Sequence, residues 1–120
     1  MDKPNPPATL QDAGQTLWRE VVEQYDLRSD ELRTLEDACA ASDMLAEFTA
    51  GWIEMGRPYM SKGSMGQEVE HPLIGSIDKQ RKARQAFLRQ LKLPDDGGEK
   101  PNQQRDAANT RWAAAHGKGA

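Results

Sequence analysis

The chain predicts a mainly α fold: a helical hairpin plus a third long helix, with a small β-hairpin between helices two and three and flexible termini. Three observations carry that expectation. Apolar residues recur at helical spacing in three stretches, and glycine and proline cut those stretches off sharply. Between the second and third lies a short piece of strand-compatible residues around a turn holding two glycines.

Residues 1–11 hold three prolines among the first seven positions and little to bury, which reads as a flexible arm. Asp12 and Gln15, a carboxylate and an amide three apart, resemble a capping box. Behind them Leu17, Trp18, Val21, Val22 and Tyr25 recur at helical spacing, with Arg19, Glu20 and Glu23 opposite. That is a short amphipathic helix. Asp26-Leu27-Arg28 makes a tight link to the next, for which Ser29 is the expected N-cap and Asp30 and Glu31 suit the positive end of the dipole.

Leu32, Leu35, Cys39, Ser42, Ala46, Thr49 and Ile53 then form one stripe, flanked by Ala38, Leu45 and Trp52. A second helix from residue 29 to 55 would be about 40 Å long at 1.5 Å per residue, the spine of the fold. Gly56 ends it and Pro58 forbids its continuation. Residues 59–70 are expected to form the hairpin, which is marginal alone and must pack on helices or on a neighbouring chain. Pro72 fits the first turn of the third helix, whose apolar side is Leu73, Ile74, Ile77, Leu88 and Leu91. Pro94-Asp95-Asp96-Gly97-Gly98 stops it, so residues 12–94 make one domain. Residues 95–120 read as a tail, with a partner-binding helix at about 104–115 around Trp112.

The bulk numbers narrow the function. Hydrophobic content of 37 % and mean hydropathy of −0.85 are low for a self-contained globule of 120 residues, so some apolar surface needs a partner subunit. Cys39 stands alone, and His71 and His116 lie far apart, which leaves no disulfide framework and no zinc site to expect. The start of the chain lacks a signal-peptide core, and no apolar run reaches membrane-spanning length, so a soluble protein with no membrane partner is expected.

The net charge of −3 hides a dipole. Residues 1–56 carry four bases against twelve acids, or −8, whereas residues 71–93 carry six bases against Asp78 alone, or +5.

Each motif has a plainer reading beside it. Gly63-Ser64-Met65-Gly66 lacks the Gly-Lys-Ser/Thr ending and following helix of a phosphate loop, so a hairpin turn is the better reading. His71 has no triad partner in sight and reads as a cap, and Cys39 as a small core residue. Nothing assembles a nucleophile, a base and an oxyanion hole, so no enzyme and no cofactor is expected. The first two helices can pose as a DNA-binding helix-turn-helix, but Asp30 and Glu31 would then face phosphates.

On the third helix, Arg81 and Arg84 interrupt the apolar side and are expected to face another helix and meet acids there. Lys82, Arg89 and Lys92 lie opposite, with Lys79 near their edge. A solvated face normally mixes signs; this one has no acid after Asp78, which favours a nucleic-acid contact.

Taken together, Leu17-Trp18 with Val21 and Tyr25, then LRSDELRTLEDACAASDML, GSMGQEVEHPLIG and QRKARQAFLRQLKLPDD, resemble the small subunit of a tailed-bacteriophage terminase. The likeness runs from Gly14 to Pro94. It implies a non-enzymatic protein of the host-cell cytoplasm, absent from the mature virion, that forms a homo-oligomeric ring of about eight to eleven protomers by head-to-tail contacts. Such subunits bind the packaging site on double-stranded viral DNA and present it to the terminase large subunit, whose ATPase and nuclease they regulate.

Lys79, Lys82, Arg89 and Lys92 are then the first candidates for phosphate contact, and Lys100, Arg105, Arg111 and Lys118 of the tail the second. Trp18, Trp52, Tyr59, Met60, Val69, Arg81 and Arg84 are the candidates for subunit contact, and Trp112 for docking to the large subunit. The competing expectations are a small dimeric helix-turn-helix regulator and a purely structural oligomeric adaptor.

Overall fold

Residues 3–94 are described by the structure, a computed structural model. Three helices and one hairpin follow in the order α1 (Asp12–Gln24), α2 (Ser29–Glu54), β1 (Met60–Lys62), β2 (Glu68–Glu70) and α3 (Pro72–Leu91). The mainly helical fold with a hairpin between its second and third helices is therefore the observed one.

α2 and α3 run antiparallel and share a seam. We trace the seam along buried or half-buried positions: on α2 Leu35, Ala38, Ser42, Leu45, Thr49 and Trp52, spaced alternately three and four apart, and on α3 Leu73, Ile77, Gln80, Arg84, Phe87 and Leu91. That alternation keeps one side of each helix facing the other along its whole length. The stripe expected on α2 drifts off this seam at its far end, where Ala46 and Ile53 are exposed.

α1 covers only one end of the pair. Trp18, Val21, Val22 and Tyr25 pack there against Leu35, Cys39 and Leu91 to form the core. The Tyr25 hydroxyl donates to the Pro94 carbonyl across 2.9 Å and ties the exit of α3 to the exit of α1. At the other end, among the described residues, the pair has only the β-hairpin for company. The radius of gyration is 18.0 Å, and the extents are 58 × 24 × 24 Å. A compact domain of this size would have a radius of about 12 Å. The protomer is a rod with a core at one end.

Several local expectations need correction. The amino-terminal arm has more to bury than its composition indicates. Residues 3–11 form no helix or strand, yet Leu10 lies in the core and the Trp18 indole donates to the Pro4 carbonyl at 3.0 Å. The N-cap of α1 is Gln11, and the cap is made from outside: the Asp43 carboxylate of α2 accepts from the backbone of Gln11 at 2.8 Å and of Gly14 at 2.7 Å. Gln15 instead donates to the Leu10 carbonyl. In α2 the N-cap is Arg28, one residue before Ser29, and Glu31 reaches back to its N–H at 2.8 Å.

The far end of α2 closes in a Schellman turn. Arg57 N–H donates to Trp52 and Gly56 N–H to Ile53, with Gly56 at φ +93°. The Trp52 indole then holds the Pro58 carbonyl at 2.7 Å, which turns the chain into β1. β1 and β2 pair antiparallel with Met60 opposite Glu70 and Lys62 opposite Glu68. His71 caps α3 as expected, its Nδ1 accepting from Leu73 at 3.1 Å with Pro72 in the first turn.

Candidate nucleic-acid interface

α3 owes its two faces to its period. The seam positions repeat as Leu73, Ile77, Gln80, Arg84, Phe87 and Leu91, which turns Lys79, Lys82, Ala86 and Arg89 outward into one stripe. From Lys79 to Arg89 the stripe is about 15 Å long at 1.5 Å per residue. All three cations on it are exposed. Lys82 is offset by Asp78, one turn back, with its Nζ 2.9 Å from the carboxylate. Among the described residues Lys79 and Arg89 form no ion pair. Lys92 sits just past the helix as its C-cap in the left-handed region, φ +51°. Its side chain is exposed at the end of the stripe, but its backbone has a structural task that the other three lack.

Arg81 and Arg84 part company, contrary to expectation. Arg84 occupies a seam position opposite Ser42 and is half-buried in a groove whose walls include Leu17, Leu88, Asp12 and Glu20. Neither acid comes within ion-pair distance of it. A long side chain can lay its stem along the seam and keep its guanidinium in the water of the open groove, so burial does not oblige it to pair. Arg81 is exposed, on the rim of a second cavity near the hairpin. It too forms no ion pair among the described residues.

Of the other residues expected at subunit contacts, Trp18 is excluded from any outer surface: it is 4 % exposed, in the core of its own protomer. Its large indole removes more apolar area from water there than any solvated helix face could offer it. Trp52 and Val69 are half-buried at the far end, and Tyr59 and Met60 are exposed there. Lys100, Arg105, Arg111, Trp112 and Lys118 lie outside the described residues.

The ion pairs that form among the described residues are Lys3 with Asp26, Arg28 with Asp30 and Glu31, and Lys82 with Asp78. The Arg28 hydrogen bond holds the Asp30 carboxyl below its ordinary range, and the Arg28 guanidinium rises for the same reason. None of these pairs joins a cation of α3 to a carboxylate of α1 or α2. Among the described residues Lys79, Arg81, Arg84 and Arg89 of α3 therefore meet no carboxylate of α1 or α2 in an ion pair.

Cys39 is wholly buried, and desolvation, helped by Asp43 and Glu36, pushes its thiol up to about 12. It is a packing residue. Among the described residues no group of histidine, cysteine, aspartate and glutamate side chains is arranged to hold a metal ion, and no helix is long and apolar enough to cross a membrane.

No protein-family model matches the chain, and no curated protein or solved structure matches it.

Met65, at the hairpin turn, is a surface residue that helical periodicity does not single out, although it is 85 % exposed. The signal is nonetheless present: a large apolar residue between two glycines, where a polar one would serve the turn as well.

Proposed function

We propose that the chain is the DNA-recognising, ring-forming small subunit of a viral genome-packaging terminase. The observation that carries this reading is the exposed cationic stripe of α3, Lys79, Lys82 and Arg89, in a chain whose net charge is −3. Segregation of that kind suits a polyanion lying along the stripe. Phosphate contacts position a duplex and add affinity without reading sequence. A single protomer offers few of them; a ring repeats them, and repetition turns weak patches into firm binding. The resemblance in order and spacing from Gly14 to Pro94 supports the assignment to a packaging system. Presentation of the DNA to a terminase large subunit follows from the same likeness.

The test is DNA retention as a function of salt. Charge reversal of Lys79 and Arg89 together lowers affinity at least tenfold. It also flattens the slope of log K against log salt by about 0.9 for each phosphate that is no longer neutralised. Unchanged retention in that variant overturns the interface. Native mass separates the ring from a dimeric regulator, because a closed ring cannot be mistaken for a pair.

A further inference from the structure

Two features of the rod's far end have no use among the described residues. The first is Met65. Its turn is firmly built: Gly63 N–H donates to the Gln67 carbonyl at 2.7 Å, Gln67 Oε1 accepts from Met65 N–H at 3.0 Å, and Gly66 takes φ +81°. This rigid frame holds a methionine 85 % exposed. The second is a cavity of about 560 Å³ on the flank of the same end, floored by Trp52, Ile74 and Ile77 and opened by Gly75. Gly75 sits inside α3, where glycine costs helix stability relative to alanine. Nothing among the described residues demands it, because a Cβ there would meet none of their atoms within 4 Å.

From this pair of features we infer that the Met65 turn of one copy seats in the Trp52–Ile74–Gly75 cavity of the next. The charges around the two surfaces agree with that occupant. Glu70, Asp78 and Arg81 line the cavity, and with Asp78 held by Lys82 each side is left with one charge of each sign, Lys62 and Glu68 beside the turn against Glu70 and Arg81 at the cavity. Among the described residues none of these four forms an ion pair within its own protomer. Knob and hole are different surfaces of one chain, which makes the contact heterologous, and a heterologous contact that closes gives a ring. The inference rests on the ring reading above and names the surface that would build it.

The experiment uses the full chain and two variants, Met65→Glu and Gly75→Gln. Both positions face open space, so each variant folds, and circular dichroism confirms it. Native mass spectrometry is expected to show the wild type as a closed oligomer and each variant alone as a monomer. Mixing the variants restores one good contact, from the Met65 of the Gly75→Gln chain to the intact cavity of the Met65→Glu chain. The mixture therefore yields a heterodimer and nothing larger. A wild type that is monomeric at all concentrations overturns both the ring and this contact. An oligomer that survives both substitutions overturns this contact alone and leaves the ring standing. An intact oligomer that loses only its hold on a partner protein also overturns it, giving the knob to that partner.

Discussion

Asp43 and Gly14 show how much rests on one close approach. The Asp43 carboxylate caps α1 from α2, and it can approach so closely because Gly14, the third residue of α1, has no Cβ at the contact. A methyl group on Gly14 would lie 2.5 Å from Asp43 Oδ2 and 2.8 Å from the Cys39 carbonyl. Gly14→Ala is therefore expected to lower stability by about 1–3 kcal/mol, as overpacking does, measured by urea denaturation. Asp43→Ala removes the cap, at about 1 kcal/mol, and should not rescue Gly14→Ala, because the Cys39 carbonyl still blocks the methyl. Cys39 gives a pH dependence of definite sign. Its thiol is raised to about 12 in the folded chain from an ordinary 9.0, so the folded state holds the proton more tightly. The stability it contributes is fully present below pH 9.0 and is lost as pH rises from there towards 12. Between those limits the wild type should lose stability faster than Cys39→Ala. Equal slopes for the two would show that the thiol is not sensing burial.

At the scale of the elements, the turn that ends α2 aims everything beyond it. Gly56 at φ +93° and Arg57 at φ +56° reverse the chain, and the Trp52 indole fixes Pro58. Gly56→Ala must hold an L-residue in the left-handed region, at a cost of about 1–2 kcal/mol. Thermal melting should record that loss, and proteolysis should find the hairpin first, since it packs on little else. These elements are legible in the sequence because their punctuation is local: Gly56 and Pro58, His71 and Pro72 each act within a turn of the helix they bound. What is illegible acts over distance. Asp43 caps a helix 29 positions earlier in the chain, and no pattern around Asp12 reports that. Leu10 is one apolar residue in a polar arm, and its burial depends on where α1 lies. Arg81 and Arg84 share a side on a helical wheel, but only Arg84 falls on the seam, so it is half-buried and Arg81 is exposed. Trp18 suits a subunit contact as well as a core on sequence alone, because periodicity does not say which apolar stripes meet. α1 has a single apolar face, and the core claims it. The stripe of Lys79, Lys82 and Arg89 is legible, being fixed by helical period alone, and its neutralising Asp78 stands in plain view four residues before Lys82.

For the whole molecule the charge dipole poses a choice that salt can decide. Among the described residues Lys79, Arg81, Arg84 and Arg89 form no ion pair, so these four bases of α3 are available to neighbours. If the α3 stripe were used between copies, it would be covered in the ring and closed to DNA. Exposed charges are screened as the Debye length falls from about 10 Å at 0.1 M salt to about 3 Å at 1 M, so a ring built on the stripe would come apart over that range. An apolar contact such as Met65 in its cavity is not weakened by screening. With the stripe reserved for DNA, raising salt from about 0.1 M to about 1 M should release bound DNA while the oligomer mass stays constant. Light scattering and a filter-retention assay on the same samples read both quantities at once. Parallel loss of mass and DNA would place the α3 stripe inside the subunit contact, and Lys79 and Arg89 would then have to be reassigned from phosphate to the carboxylates of a neighbouring α1 or α2.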